Sequence, residues 1–99
     1  MTAPKSDSAA IRQTVRALRE AGWKLDGVWD GEESEPATNE DQAVELVTSL
    51  ESAHLYVSKD GKGAWVYFVL GNDPEEVVAE HTLNLSYVID RLLADWLWS

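Results

Sequence analysis

The side chains with the most chemical capacity in this chain are two histidines, His54 and His81, a large set of carboxylates, and the aromatic residues Tyr56, Trp65 and Tyr67. A metal site would need several of these donors to converge, and closely spaced ligands on one turn or helix are its usual sign. His54 and His81 are far apart, and the strand register derived below sends them to opposite faces of a sheet. Asp26, Asp30 and Glu32 have some of the spacing of a calcium loop, but Val28 stands where a second oxygen donor belongs and Ala37 replaces the terminal carboxylate. No metal or other cofactor is expected.

Acid-base catalysis requires a carboxylate pair, or a histidine with a partner, in a setting that shifts its pKa. The pairings that come near this are Glu80 beside Trp65 and His54 beside Tyr67, which outline a small-molecule or enzymatic pocket around His54, Tyr67 and Glu80. At a sheet surface the same pairs are ordinary packing. Ser49, Ser52, Ser58 and Ser86 lie in no nucleophile-elbow pattern, and Gly61 and Gly63 do not lead from a strand into a helix as a phosphate cradle must. The expectation is a protein that is not an enzyme.

These residues are positioned by the clearest local signal in the chain. Residues 52–58 alternate in character, Asp60-Gly61-Lys62-Gly63 supplies a turn, and 64–70 is a β-branched and aromatic run. If Asp60-Gly61 is a two-residue turn, Val57 lies opposite Ala64, Tyr56 opposite Trp65 and Leu55 opposite Val66; a four-residue loop shifts the pairs without changing which residues share a face. Because side chains alternate along a strand, Leu55, Val57, Ala64, Val66, Phe68 and Leu70 share an aliphatic face. His54, Tyr56, Ser58, Trp65, Tyr67 and Val69 share the other.

Gly71-Asn72-Asp73-Pro74 breaks the second strand. Asp73-Pro74 also reads as a helix cap with proline in the first turn, but β-branched Val77 and Val78 favour a third strand over 75–82. A four-residue turn would put Val77, Ala79 and His81 on the aliphatic face and Glu76, Val78 and Glu80 on the aromatic one.

Upstream, Ser6, Asp7 or Ser8 can cap a helix that runs to about Ala21 and stops at Gly22, with Ile11, Val15 and Leu18 on its apolar stripe. Arg12, Arg16 and Arg19 form a basic stripe beside it, with Glu20 or the Glu32-Glu33-Glu35 cluster as expected partners. Residues 23–29 read as a strand with Trp23, Leu25 and Trp29 on one side, although Asp26-Gly27 could fold the segment into a small hairpin instead, and 31–37 as a solvated acidic loop, mobile unless something cationic binds it. Thr38 or Asn39 caps a second helix ending near Ser52, with Asp41 completing a capping box from Thr38 and Ala43, Val44, Val47 and Leu50 facing inward. A last helix over about 85–98 buries Val88, Ile89, Leu92, Leu93 and Trp96, and turns Tyr87, Ala94 and Trp98 outward.

The expected fold is therefore a single α+β domain over 1–99, with residues 1–5 a loose end. It has an antiparallel sheet of three to four strands packed with three helices in the order α-β-α-β-β-β-α. Strands lie ~4.8 Å apart and helices are ~10 Å across, so three helices are a tight fit on one side of four strands. Either a helix covers part of the aromatic face, or that face stays open.

Eighteen acidic residues against eight basic ones give a net charge of -10, which disfavours direct contact with nucleic acid or an anionic membrane. There is no cysteine, no apolar run near the roughly 18 residues that span a bilayer, and no secretory leader pattern at the start, all as expected of a cytoplasmic protein. Tyrosine and tryptophan on a sheet face suit a protein interface. The reading is a small acidic, non-catalytic protein-interaction module, in its most concrete form an inhibitor or immunity-type protein that blocks the basic, nucleic-acid-binding surface of a target. Tyr56, Trp65 and Tyr67 are the candidate anchors, and Glu32, Glu33, Glu35, Asp73, Glu75 and Glu76 the candidate acidic contacts. The alternative is a self-associating structural or regulatory subunit, a homodimer that buries Trp98 and the aromatic face.

Overall fold

A computed structural model describes residues 3–98. Within them, helices α1 (Asp7–Glu20), α2 (Glu40–Thr48) and α3 (Ser86–Leu97) pack on strands β1 (Lys24–Trp29), β2 (Ser34–Pro36), β3 (Ser52–Lys59), β4 (Lys62–Val69) and β5 (Val78–His81). The sheet is antiparallel in the order β2-β1-β3-β4-β5, so the fold is α+β with the element order α-β-β-α-β-β-β-α. It has five strands where three to four were expected. The additional strand is β2, taken from the segment read as an acidic loop and paired with β1 by Gly27–Pro36, Val28–Glu35 and Trp29–Ser34.

The β3–β4 hairpin is the frame of the sheet. Asp60 and Gly61 have φ of 53° and 78°, as a two-residue type I′ turn requires. The resulting register places Val57 opposite Ala64, Tyr56 opposite Trp65 and Leu55 opposite Val66. Ala53, Leu55, Val57, Ala64, Val66 and Phe68 are buried on one face, in the same core as the inner sides of all three helices. α1 touches both α2 and α3, α2 lies against β1 and β3, and α3 packs by the short helical turns that flank β5. The fifth strand widens the sheet to roughly 24 Å at ~4.8 Å per strand. β2 is exposed along its whole length, so the added strand carries no helix; α1 lies against β1, α2 against β1 and β3, and α3 is seated by the helical turns that flank β5.

Local chemistry sets the boundaries. Ser6 caps α1 by accepting from the Ala9 amide, and Ile11, Val15 and Leu18 are fully buried with Ala10 and Thr14. Lys59 Nζ donates to the Ala21 carbonyl at 2.8 Å, placing a cation at the negative end of α1 and tying the hairpin to it. α2 is capped by Asn39, whose side chain accepts from the Gln42 amide while Gln42 Oε1 accepts from the Thr38 amide. The reciprocal pair is thus built from Asn39 and Gln42, one residue later than the Thr38–Asp41 box expected. On α3, Val88, Ile89, Leu92 and Trp96 are buried, Leu93 is half-buried, and Trp96 Nε1 donates to Gln13 Oε1 on α1.

Three further expectations are corrected. Trp29 does not share a side with Leu25, because a bulge between Leu25 and Gly27 shifts the β1 register by one residue. Leu25 and Val28 then face the core, and Trp29 turns to the other face. A one-turn 3₁₀ helix over Pro74–Glu76 precedes β5, and a second irregularity sets Val78 opposite Phe68 and leaves Ala79 exposed, so these two exchange the faces expected of them. Val77 is fully buried. Residues 1 and 2 of the expected loose end lie outside the described residues, whereas Pro4 is buried and Ala3 packs against the core.

Candidate functional site

With every helix on the aliphatic side, the other face of the sheet has no layer over it. His54, Tyr56, Trp65 and Tyr67 are only half-buried, and the rings of Tyr56, Trp65 and Tyr67 gather around that of His54. One line of cross-strand partners runs over all five strands: Ser34 on β2, Trp29 on β1, His54 on β3, Tyr67 on β4 and Glu80 on β5. A parallel line joins Pro36, Gly27, Tyr56 and Trp65. Cross-strand neighbours on one face sit close enough for aromatic side chains to interact.

His54 is the hub of these rings. It stacks on Tyr67 with centroids 4.5 Å apart, meets Trp65 edge-on at 5.1 Å, and lies 5.3 Å from Trp29 and 6.3 Å from Tyr56. Partial burial among the rings pushes the His54 pKa down, and the Glu80 carboxylate works against that shift. His54 is therefore neutral at pH 7, and the face offers flat π-surface with polar edges.

Charge is distributed unevenly along the strands. The three connections at the Trp29–His54–Tyr67 end, 30–33, 49–51 and 70–77, carry Asp30, Glu32, Glu33, Glu51, Asp73, Glu75 and Glu76 and no lysine or arginine. The opposite end carries Lys24, Lys59 and Lys62. Asp30 Oδ1 accepts from the amides of Glu32 and Glu33, both at 2.8 Å, and these bonds hold its carboxyl below the ordinary carboxylate range. The 30–33 loop is thus folded around the Asp30 side chain.

The structure brings Tyr56, Trp65 and Tyr67 together on the open face, with Glu80 directly across from Tyr67. Glu32, Glu33, Asp73, Glu75 and Glu76 are exposed at one end of the sheet, and Glu35 is exposed on β2. Trp98 is 85% exposed but lies at the end of α3, away from this face. His81 pairs with Val66 on the helix side, with Nε2 3.8 Å from Asp90, so the two histidines face opposite ways. No three metal-binding side chains converge among the described residues. The arginine stripe meets different carboxylates from those expected: Arg12 binds Glu40 and Asp41, and Arg16 binds Glu40 through two hydrogen bonds. These contacts join α1 to α2 and draw the Glu40 pKa down.

Sequence reasoning did not assign Trp29 to this surface, and Asp30 entered it only as a failed calcium ligand. The signal was Asp26-Gly27, which marks the bulge that turns Trp29 over. Comparison of the chain with protein-family models, curated proteins and solved structures finds no match.

Proposed function

We propose that this chain is a small, non-catalytic protein-interaction module that receives a basic surface of another protein on its open sheet face. The carrying observation is an uncovered platform of Trp29, His54, Tyr56, Trp65 and Tyr67 bordered at one end by seven carboxylates with no basic residue among them. Aromatic rings supply contact area at little entropic cost, and the carboxylates steer a cationic partner and fix its orientation. The concrete form is an inhibitor or immunity-type protein that covers the nucleic-acid-binding surface of its target, its acidic end occupying the place of phosphates.

The test is to purify the protein bound in the native cells, reconstitute the pair, and measure affinity for the parent, for a Trp65→Ser/Tyr67→Ser variant and for a Glu32→Lys/Glu33→Lys variant. The expected result is a basic partner, at least about tenfold weaker binding for each variant, and steep weakening as salt rises from about 50 to about 500 mM. A partner that binds both variants as well as the parent refutes the reading.

A second reading is favoured by one observation. Among the described residues, the exposed large hydrophobics are Leu83, Tyr87, Leu97 and Trp98, all on or next to α3. They suit self-association through the outer side of that helix, on the opposite side of the molecule from the open face. Sedimentation of the parent and of Trp98→Ser decides it: a parent that is monomeric at micromolar concentration removes this reading.

A further inference from the structure

At the acidic end of the open face lies an open recess of about 110 Å³. It is lined by Trp29, Asp30 and Gly31 at the end of β1, by Ser52, Ala53 and His54 of β3, and by Tyr67 of β4. The two ring-bearing strands flank β3, so their backbones are roughly 9–10 Å apart. Ligand pockets for whole small molecules run to about 300–1,000 Å³, so this recess suits a single side-chain head group.

The chemistry of the lining narrows what that group is. Asp30 is anionic and exposed, and the amides of Glu32 and Glu33 both bond its Oδ1. Glu80 stands on the far side of Tyr67 in the same cross-strand line. Neutral His54 presents one acceptor nitrogen. Rings with negative faces, carboxylates and an acceptor nitrogen together select a cation. Of the two common protein cations, guanidinium has four heavy atoms, is flat and weakly hydrated, stacks on aromatic rings and forks onto a carboxylate. Ammonium is a compact, strongly hydrated point charge.

We propose that this recess is a binding site for the guanidinium group of an arginine side chain on a partner protein, held against the Trp29, His54 and Tyr67 rings with Asp30 as its counter-ion. The inference rests on the reading that the open face receives a basic protein, and it names the side chain that anchors that protein. Trp29 and Asp30 are then specificity-determining residues, and lysine in place of the arginine is a poor substitute.

Amide and indole NMR spectra of the full chain, titrated separately with methylguanidinium, methylammonium and methylurea, test the site without the partner. Methylguanidinium is expected to give saturable shifts at the Trp29 indole and at the amides of Gly31, Ser52 and His54, with a dissociation constant of roughly tens of millimolar for a ligand this small. Methylammonium should bind at least about fivefold more weakly, and uncharged methylurea should leave these signals in place. Asp30→Asn keeps an oxygen for the loop amides while removing the charge, and should abolish saturation; Trp29→Leu should do the same. Shifts that are absent, equal for all three probes, or retained in Asp30→Asn overturn the proposal. Loss of basic-protein binding in Trp65→Ser/Tyr67→Ser, with no probe response in the parent, would remove this recess and leave the broader interaction reading standing. A probe response specific to guanidinium, in a chain that binds no basic protein, would sustain the site and remove that broader reading.

Discussion

Replacing Phe68 and Trp65 in turn measures the difference between the two faces of the sheet. Phe68 is fully buried on β4 between Ala53 of β3 and Val78 of β5, under the helical layer. Phe68→Ala removes a ring from a packed site that can collapse only partly, at a cost of about 3–5 kcal/mol. A domain of this size has about 5–15 kcal/mol of stability in total, so the variant should be marginal, with a melting temperature lower by roughly 4–8 °C for each kcal/mol. Trp65, three residues earlier, is half-buried on the open face, and its ring meets His54 edge-on. Trp65→Thr keeps β propensity and loses that ring contact, worth about 0.5–1.5 kcal/mol, plus a modest area of partly covered surface. The expected total is about 1–2 kcal/mol. Urea unfolding followed by far-ultraviolet circular dichroism gives both values, with the midpoint moving and the slope constant if only stability changes. A cost for Trp65→Thr equal to or above that for Phe68→Ala would show that the aromatic face is enclosed, and would refute the two-faced account of this sheet.

Gly27→Ala should cost about 1–3 kcal/mol, because a Cβ there would stand 2.8 Å from the Glu35 carbonyl oxygen, a backbone atom that moves only if β2 moves. Hydrogen exchange is expected to accelerate at the β1–β2 amides and stay unchanged in the β3–β4 hairpin. Thr14→Val should change stability by less than about 1 kcal/mol, since the fully buried hydroxyl donates to the Ala10 carbonyl, which keeps its helical bond from the Thr14 amide; a larger loss in thermal melts would contradict this. His54 has a folded pKa below its unfolded value of about 6.5, so its contribution to stability is complete above that pH and is lost as pH falls to the folded value. Burial among the rings of Trp29, Tyr56, Trp65 and Tyr67 causes the shift and the Glu80 carboxylate opposes it, and His54→Gln should flatten the change in melting temperature between about pH 7.5 and 5.5. Asp30 and Glu40, whose pKa values are also lowered, add a loss of stability only at more acidic pH.

The two faces of the β3–β4 hairpin were readable because alternation agreed with β-branched and aromatic content there, whereas its register depended on which turn Asp60-Gly61-Lys62-Gly63 forms, and the structure has the two-residue one. The helices were readable from their apolar stripes, and α1 and α2 from their caps as well, whereas α3 starts with no side-chain cap. β2 was not, because Ser34-Glu35-Pro36 has no inward-facing apolar residue and is held by backbone pairing to β1 alone. Period-two counting placed Trp29 wrongly because the bulge at Asp26 adds one residue that carries no periodic signature. The same arithmetic failed at Val78 and Ala79, where the short helical turn and the register shift are set by contacts across the sheet. The partners of Arg12 and Arg16 lie 24 to 29 residues away on α2, a tertiary relation that charge spacing along one helix does not encode. For the candidate site, the membership of Tyr56, Trp65 and Tyr67 followed from the hairpin, whereas the recess depends on Trp29 and Asp30, on the far side of the bulge.

The brevity of the outermost strands has a consequence for behaviour at high concentration. An unclosed sheet leaves two rows of unsatisfied amides and carbonyls, and each is a template on which another molecule can grow. Here one margin is three residues long, with Glu35 in the middle and Pro36 unable to donate, and the other is four residues long and kinked by its register shift, with Glu80 in it. Neither offers the flat, apolar stretch of six or seven residues from which fibrils propagate. The protein can therefore leave a greasy platform uncovered while denying neighbouring copies the backbone ledge they would need to polymerise.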